Sequence, residues 1–268
     1  MTIPLSQIKD MLAQHPSSDV LEELRADPRR GVQNLLAAWT KKQEQVAAEK
    51  LRLQQLRVLE QEEWNKGRLL VAGCDEAGRG PLAGPLVTAA VILPREIWLP
   101  GLNDSKKVTP KRRETLYEAI KEQAVAITLC LLGPQEIDRL NIYQAAKKSM
   151  ELCLTNLNTA PQAGLTDAMP LQIPGLPVRD FIHGDSRSAC IAAASIMAKV
   201  TRDRFMVELD AKYPAYGFAH NKGYGAEAHM KAMEKWGATP WHRHSFAPVK
   251  TMEHVPDALS LHTLIRLK

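Results

Sequence analysis

The sequence is poor in aromatic residues and in cysteine. Its 268 residues include five Trp, five Tyr and four Phe, so a surface that binds single strands by stacking their bases is not expected. The four cysteines are widely spaced and form no CxxC pair: Cys74, Cys130, Cys153 and Cys190. This spacing argues against a disulfide scaffold or a zinc ribbon and is typical of a reducing compartment.

Long apolar runs and targeting signals are also missing. No run of about 18 apolar residues occurs, so no membrane-spanning helix is predicted. The segment MTIPLSQIKD at the start lacks the basic cluster and apolar stretch of a secretory signal. We therefore expect a soluble cytoplasmic protein with no membrane partner. A hydrophobic share of 45% predicts an ordinary globular core.

The charge is distributed unevenly along the chain. Residues 1–67 hold 10 Lys and Arg against 10 Asp and Glu, whereas the remaining 25 basic and 20 acidic residues carry the whole net charge of +5. With a pI of about 9.0, the larger part of the chain suits nucleic acid or another polyanion. Charge alone equally suits a mildly basic enzyme of another kind.

The composition changes near residue 68. Upstream, the pattern predicts short helices at 5–14 and 20–25 and one long helix at about 31–64, which contains no proline. Downstream, apolar runs predict strands at 69–74, 86–93 and 124–132 and shorter ones near 165–169 and 181–183. Helices are expected after Thr109-Pro110, at 135–157 and at 189–209. The last dozen residues carry no clear signal. The alternation predicts an α/β fold, a mixed sheet with helices on its faces.

The densest chemistry follows the first predicted strand. Asp75 and Glu76 end an apolar run, where a buried acid costs several kcal/mol unless a cation compensates it. A divalent metal or a salt bridge to Arg79 would do so, although a simple strand cap would look the same. Gly78 and Gly80 would let the backbone approach a ligand, and Arg79 offers donors to phosphate. The glycine spacing and Pro81 do not fit the dinucleotide-binding fingerprint, and there is no Walker loop.

Two further carboxylates stand in strand-end contexts. Asp167 lies within the short apolar stretch 164–169, and Asp185 ends the stretch 181–185, although Asp185 could equally cap the helix that follows it. Folding can gather such acids at one sheet edge, and all-oxygen ligands select Mg²⁺ or Mn²⁺. Two such ions about 4 Å apart could activate a water and stabilise the leaving oxygen of a phosphodiester.

Several motifs, in order, resemble those of bacterial ribonuclease HII. They span about residues 69–249 and include Asp75-Glu76-Ala77-Gly78-Arg79-Gly80-Pro81, Asp104-Ser105-Lys106-Lys107, His183-Gly184-Asp185-Ser186, Ile191-Ala192-Ala193-Ala194-Ser195, Ala198-Lys199-Val200-Thr201-Arg202-Asp203, Lys222-Gly223-Tyr224-Gly225 and His242-Arg243-His244-Ser245-Phe246. His183 departs from the pattern, since many relatives carry lysine there. Residues 1–67 lie outside the resemblance.

The resemblance implies a ribonuclease H-like fold, with a five-stranded mixed sheet flanked by helices. It implies metal-dependent cleavage of RNA in RNA·DNA hybrids and 5′ to single ribonucleotides in duplex DNA, leaving a 3′-hydroxyl and a 5′-phosphate. Asp75, Glu76, Asp167 and Asp185 would bind Mg²⁺ or Mn²⁺ and carry catalysis. Nucleic-acid contacts are implied for Gly78, Arg79 and Gly80 at the ribose 2′-OH and for Tyr224 at the RNA–DNA junction. From their own positions, Lys106 just after Asp104-Ser105 and Lys199 on one helix face with Arg202 are expected to contact phosphates.

Other readings stay open for some of these residues. Tyr224 between two glycines would ordinarily be a surface loop residue, and most lysine-rich helix starts are merely solvated. His242 and His244 have no cysteine partner and are expected to pack rather than bind zinc. The sister enzyme ribonuclease HIII, a nuclease of the same fold acting on branched DNA, and a non-catalytic binder are the alternative functions. Arg79 and Tyr224 favour HII.

The predicted organisation is a helical extension over 1–67, a catalytic domain over 68–250 and a tail over 251–268. The extension, having no net charge, is expected to pack against the catalytic domain or to engage a partner rather than to grip phosphate. A clamp-binding peptide with paired aromatics is absent from the C-terminus, and we expect a monomer.

Overall fold

A computed structural model describes residues 3–14, 16–252 and 255–268. The chain divides into two compact units, Met1–Gln54 and Gln55–Lys268. This division falls earlier than the change of composition near residue 68. The domain organisation deduced from the sequence, with boundaries at 67 and 250, remains a prediction.

The first unit is helical. It contains α1 (Leu5–Ala13), α2 (Ser18–Ala26) and nearly all of α3 (Arg30–Gln55). Its apolar side chains form a small core of their own, consisting of Ile8, Leu12, Leu24, Val32 and Leu36. The side chain of Ser17 caps α2 by accepting from the N–H of Val20.

The second unit has an α/β fold, as predicted. Its strands are β1 (Val71–Ala77), β2 (Leu86–Ile92), β3 (Ala126–Leu132), β4 (Ala163–Asp167), β5 (Val178–Phe181) and β6 (His262–Arg266). Its helices are α4 (Val58–Trp64), α5 (Pro110–Gln123), α6 (Pro134–Leu140), α7 (Ile142–Thr155), α8 (Ala189–Lys212), α9 (Phe218–Asn221) and α10 (Glu227–Trp236). Among the described residues, no helix is long and apolar enough to cross a membrane.

The sheet is mixed, in the order β5-β4-β1-β2-β3-β6. Strands β1, β4 and β5 run parallel, while β2, β3 and β6 join through antiparallel pairs. The predicted count of five strands is therefore wrong by one. The sixth strand, β6, lies in the segment that was expected to be a tail, and it pairs with β3 along the edge of the sheet.

Helices cover both faces of the sheet. Alternate residues of a strand point to opposite faces, so β1 packs against a helix on each side. Ala72 and Cys74 pack with Ala146 and Met150 of α7 in one buried apolar cluster. Gly73 faces α8, and a Cβ built on it would lie 2.1 Å from the backbone of Cys190. The missing side chain at Gly73 therefore lets α8 lie directly on β1, beside the strand end that carries Asp75.

Two of the predicted helices are interrupted. The helix expected over 31–64 breaks between α3 and α4, where Arg57 leaves helical geometry and donates to the carbonyls of Arg95 and Ile97. The helix expected over 135–157 breaks at Asn141, whose φ is 65° and whose side chain caps α7. Tertiary hydrogen bonds and a local cap override helix propensity at these positions.

Candidate active site

The four predicted catalytic carboxylates lie together at the carboxyl ends of the parallel strands. Because β1 and β4 are parallel and Cys74 pairs with Thr166, Asp75 and Asp167 follow side by side. Asp185 comes after β5, and the N–H of Gly184 donates to Asp167 Oδ1 at 2.9 Å. Asp185 does not cap α8, since the side chain of Ser188 does so. The alternative role of Asp185 as a helix cap is therefore wrong.

These acids line a cavity of about 420 Å³. The same cavity is lined by every residue that the sequence singled out for nucleic-acid contact: Gly78, Arg79, Gly80, Lys106, Lys199 and Tyr224. Asp104, Ser105, Ser195 and Arg202 complete its charged and hydroxyl-bearing wall. Residues separated by up to 149 positions along the chain, from Asp75 to Tyr224, thus share one site.

The electrostatics of this edge are unfavourable in the isolated protein. Burial, reinforced by the neighbouring Glu76 carboxylate, raises the pKa of Asp75 well above its usual range. Burial also raises the pKa of Glu76, against the opposing effect of Arg79. Arg79 lies 3.4 Å from Glu76 Oε1, while the buried Oε2 atom of Glu76 has no hydrogen-bond partner among the described residues. The cationic side chains at the site therefore do not neutralise all of its carboxylates.

A fifth carboxylate, Asp104, stands at the same edge. It lies at the start of the 3-10 turn Ser105–Lys107 and accepts from the N–H of Lys106 at 2.9 Å. Burial, followed by the nearby charges of Asp104 and Asp167, raises the pKa of Asp185. In the sequence, the motif Asp104-Ser105-Lys106-Lys107 predicts a functional role for Lys106 and none for Asp104.

The donor set fits a hard divalent cation. Carboxylate oxygens are the ligands that Mg²⁺ and Mn²⁺ prefer, and a cation would relieve the repulsion and pair the orphaned Glu76 oxygen. Within residues 3–14, 16–252 and 255–268, however, no three His, Cys, Asp or Glu side chains are already gathered into a group that could hold a metal. The acids line the cavity as separate donors.

Two buried arginines lie against the Gly78-Arg79-Gly80 loop and the residues that follow it. Arg243 donates to the carbonyls of Gly78 at 2.7 Å, Arg79 at 3.0 Å and Gly84 at 2.9 Å. Arg202 donates to Pro85 O at 2.9 Å, and its Nη1 atom is buried without a partner in the described part of the chain. Burial lowers the pKa of Arg202 to about 10 and that of Arg243 to about 9. Both guanidinium groups therefore remain charged at neutral pH.

The loop requires glycine at its bend. Gly78 has φ of 98°, and a Cβ there would lie 2.1 Å from Nε of Arg202. The carbonyls of Gly78 and Arg79 are occupied by Arg243, whereas no acceptor is found among the described residues for the N–H groups of Gly78, Arg79 and Gly80. The loop therefore presents free backbone donors at the cavity.

Tyr224 belongs to a second loop, which lies beside the Gly78-Arg79-Gly80 loop. Its side chain is 48% exposed, and its Cε1 atom lies 3.5 Å from the Cβ position of Gly80. The carbonyl of Gly223 accepts from the N–H of Leu82 at 2.8 Å, which joins the two loops. The ring of Tyr224 is thus exposed at the rim of the cavity, and it contacts Gly80 on one side.

The two lysines differ in their surroundings. Lys106 is exposed, and the 3-10 turn places it at the cavity. Lys199 donates to Asp203 Oδ1 at 2.8 Å, on the next turn of α8. Lys106 is therefore the more available of the two to an anionic ligand.

Sequence reasoning missed the residues that support the site. Asp104, Ser195, Arg202 and Arg243 all lie within motifs that the sequence displays, but spacing alone gave them no role. His242 is buried, as expected of a packing residue, but its pairing with His229 was also missed. Their Nε2 atoms lie 3.0 Å apart, a contact that thirteen residues of separation do not predict.

Comparison with known proteins places the chain in a family. The model of "Ribonuclease HII" matches residues 72–249, and that of "Ribonuclease HII N-terminal domain" matches residues 4–64. The N-terminal helices, expected to lie outside the resemblance, are therefore part of the family pattern.

Individual relatives agree with this assignment. A Ribonuclease HII of Enterococcus faecalis is 50% identical over 87% of this chain and 91% of its own length, and one of Bacillus cereus is 47% identical over 90% and 96%. Among solved structures, ribonuclease H2 from Pyrococcus horikoshii OT3 is similar with a TM-score of 0.59, 28% identity and coverage of 68% of this chain and 95% of that chain. RNase HII in the PCNA:RNase HII complex from Archaeoglobus fulgidus has a TM-score of 0.55 and 31% identity, over 63% and 88%. The chain belongs to the ribonuclease HII family, and it is a ribonuclease H that acts on the RNA of RNA·DNA hybrids.

Proposed function

We propose that the chain is a metal-dependent endonuclease that cuts RNA in RNA·DNA hybrids and also cuts 5′ to single ribonucleotides in duplex DNA. The products would carry a 3′-hydroxyl and a 5′-phosphate. The observation that supports this most is the row of carboxylates at the ends of β1, β4 and β5, with raised pKa values at Asp75 and Glu76 and an unpaired Glu76 oxygen. Such an edge favours a cation where a phosphodiester would lie.

Asp75, Glu76, Asp167 and Asp185 would hold Mg²⁺ or Mn²⁺. A bound divalent ion supplies activation of a water and stabilisation of the leaving oxygen. A structural neighbour, Bst-RNase HIII, was solved in complex with Mn²⁺; at 22% identity and a TM-score of 0.54 it supports the fold alone. Asp75 would be held in place by Ser195 and by the N–H of Glu76, which donates to Asp75 Oδ1 at 2.7 Å.

The Gly78-Arg79-Gly80 loop would distinguish ribose from deoxyribose. Arg243 fixes the loop by its carbonyls, so the free N–H groups face the ligand in a defined arrangement. A 2′-OH can accept such hydrogen bonds, and deoxyribose has no oxygen there. The side chain of Arg79 is exposed, so it would reach the adjacent phosphate by releasing Glu76.

Tyr224 would recognise the junction between ribonucleotide and deoxyribonucleotide. Its exposed ring beside Gly80 is placed to pack on the sugar next to the one that the loop reads. Lys106 would contact a phosphate directly, and Lys199 would do so on leaving Asp203.

The proposal is tested by a cleavage assay on matched duplexes with no ribonucleotide or one ribonucleotide, and on an RNA·DNA hybrid, with and without Mg²⁺. We expect metal-dependent cutting only where ribose is present, 5′ to it. Cutting of the all-DNA duplex would indicate a different nuclease. Cleavage of the hybrid alone would favour the ribonuclease HIII activity.

A variant pair separates catalysis from binding. Asp75→Asn preserves the shape and the acceptor oxygen of the side chain but removes its charge, so we expect loss of most activity with hybrid binding retained. Asp180→Asn, at an exposed position of β5, is the matched control and should behave as the parent protein. A near-normal kcat in Asp75→Asn would contradict the metal assignment.

Assembly remains a prediction. We propose that the chain acts as a monomer on its nucleic-acid substrate. The PCNA complex is a property of the Archaeoglobus fulgidus neighbour. Size-exclusion chromatography with light scattering, alone and with hybrid bound, would test the monomer.

A further inference from the structure

A chain of buried hydrogen bonds runs from Thr239 to the loop that carries Tyr224. The backbone N–H of Thr239 donates to His242 Nδ1 at 2.8 Å. The Nε2 atoms of His242 and His229 lie 3.0 Å apart, and His229 Nδ1 lies 2.8 Å from the carbonyl oxygen of Tyr224. Both rings are fully buried.

The two ends of this chain determine the position of every proton. His242 Nδ1 accepts from an amide, so its proton is on Nε2 and is donated to His229 Nε2. His229 then carries its proton on Nδ1 and donates it to the carbonyl of Tyr224. Both histidines are neutral, and all four ring nitrogens are paired.

Burial favours the same protonation state. It lowers the pKa of His229, and it lowers that of His242 to about 4, with His229 adding to the effect. Tyr216 and Phe218 surround the pair, with ring centroids 5.5 Å from His242 and 5.3 Å from His229. Aromatic side chains therefore enclose the pair and keep water from it.

We propose that His229 and His242 are positioning residues that fix the backbone at Tyr224, and so raise the activity on single ribonucleotides relative to that on long RNA tracts. This proposal rests on the junction role of Tyr224 given above. The ring of Tyr224 is exposed, and its hydroxyl makes no hydrogen bond among the described residues. Its direction therefore depends on its backbone, which accepts from Ala226 N at 2.8 Å and from His229.

Two substitutions at residue 229 separate positioning from packing. In His229→Asn, the side-chain amide nitrogen occupies the place of Nδ1 and can still donate to Tyr224. In His229→Gln, the amide reaches towards His242 but leaves the Tyr224 carbonyl without that donor. Both variants shorten or reshape the side chain and break part of the buried chain, so each serves as the control for the other.

The readout is the ratio of kcat/KM on a duplex with one ribonucleotide to kcat/KM on an RNA·DNA hybrid, with Tm measured in parallel. We expect His229→Gln to lower this ratio about threefold to tenfold, which corresponds to the free energy of one lost hydrogen bond. We expect His229→Asn to retain the ratio of the parent protein. His229→Gln combined with Tyr224→Ala should lower the ratio no further than Tyr224→Ala alone, because both act through one side chain.

Each outcome distinguishes the two proposals. If Tyr224→Ala leaves the ratio unchanged, the junction role fails. If Tyr224→Ala lowers it but His229→Gln does not, or if the two effects add, the positioning role is wrong. Equal losses on both substrates in His229→Gln, with a lower Tm, would show a purely structural role. Should His229→Gln not fold, His242→Asn, which keeps the acceptor for Thr239 but loses contact with His229, provides the same test.

Discussion

The buried histidine pair should make the stability of the protein sensitive to acid. His242 has an ordinary pKa of 6.5, and its environment lowers this to about 4. A group whose pKa is depressed on folding contributes stability above its unfolded pKa and loses it as the pH falls through the folded pKa. The contribution of His242 is therefore complete above about pH 6.5 and disappears between pH 6.5 and 4.

The magnitude follows from the size of the shift. A difference of 2.5 units between 6.5 and 4 corresponds to about 3 kcal/mol, at about 1.4 kcal/mol per unit. By pH 5, about 2 kcal/mol of this should be lost. Protonation at Nδ1 would place two donors face to face, since the Thr239 N–H already points there.

The assay is urea unfolding of the parent protein and of His242→Asn between pH 7.5 and 4. Asn keeps an acceptor for Thr239 and does not titrate. The parent should be the more stable at pH 7.5, and its advantage should shrink by about 2 kcal/mol at pH 5. The quantity to compare is the difference in unfolding free energy between the two proteins at each pH. Asp75, Glu76 and Asp185 have raised pKa values, so their contribution to stability falls as the pH rises, and it cancels in this difference. Parallel curves for the two proteins would refute the reasoning.

Three further substitutions or deletions test the supporting structure. Arg243→Lys cannot reach three carbonyls at once, so we expect a loss of about 3 kcal/mol in urea unfolding and a reduced kcat/KM on both substrates; unchanged values would remove its role in holding the loop. Glu60 is buried with a raised pKa and accepts from Ser188 Oγ at 2.6 Å and Cys190 N at 2.8 Å; Glu60→Gln should gain stability relative to the parent as the pH rises above 4.5, and a constant difference between pH 4.5 and 8 would contradict this. Deletion of residues 1–67 should destabilise the remainder more than deletion of 1–54, because it also removes α4 with Glu60; equal melting temperatures for the two truncations would contradict that reasoning.

Much of the site could be predicted because its acids follow apolar strands. Asp75 and Asp167 end parallel strands, so their neighbourhood follows from the topology once the strands are identified. The positions of Gly78 and Gly80 likewise predict a backbone approached by a ligand. These signals are local in the sequence, and they remain visible without knowledge of the tertiary structure.

The supporting residues could not be predicted for physical reasons. Arginine is expected at the surface, yet Arg202 and Arg243 are fully buried and pair with backbone carbonyls instead of acids. Asp104 lies near the acids although it follows the antiparallel strand β2 and precedes a 3-10 turn. The spacing of these residues along the sequence does not predict that they lie close together. β6 was missed because it is a short, half-exposed edge strand. Each of these depends on contacts between distant segments.

His242 and Arg243 are adjacent, and this adjacency couples the two loops of the site. The side chain of His242 leads through His229 to the Tyr224 loop, while that of Arg243 binds the Gly78-Arg79-Gly80 loop. The backbone between them is itself fixed, since the N–H of Arg243 donates to Leu82 O at 2.9 Å. The dipeptide and the hydrogen bond from the N–H of Leu82 to the carbonyl of Gly223 therefore both fix the spacing of the two loops. If the two loops contact adjacent sugars as proposed, discrimination of a single ribonucleotide should depend on this spacing, whereas Asp75 and Asp167 are positioned by the parallel pairing of β1 and β4.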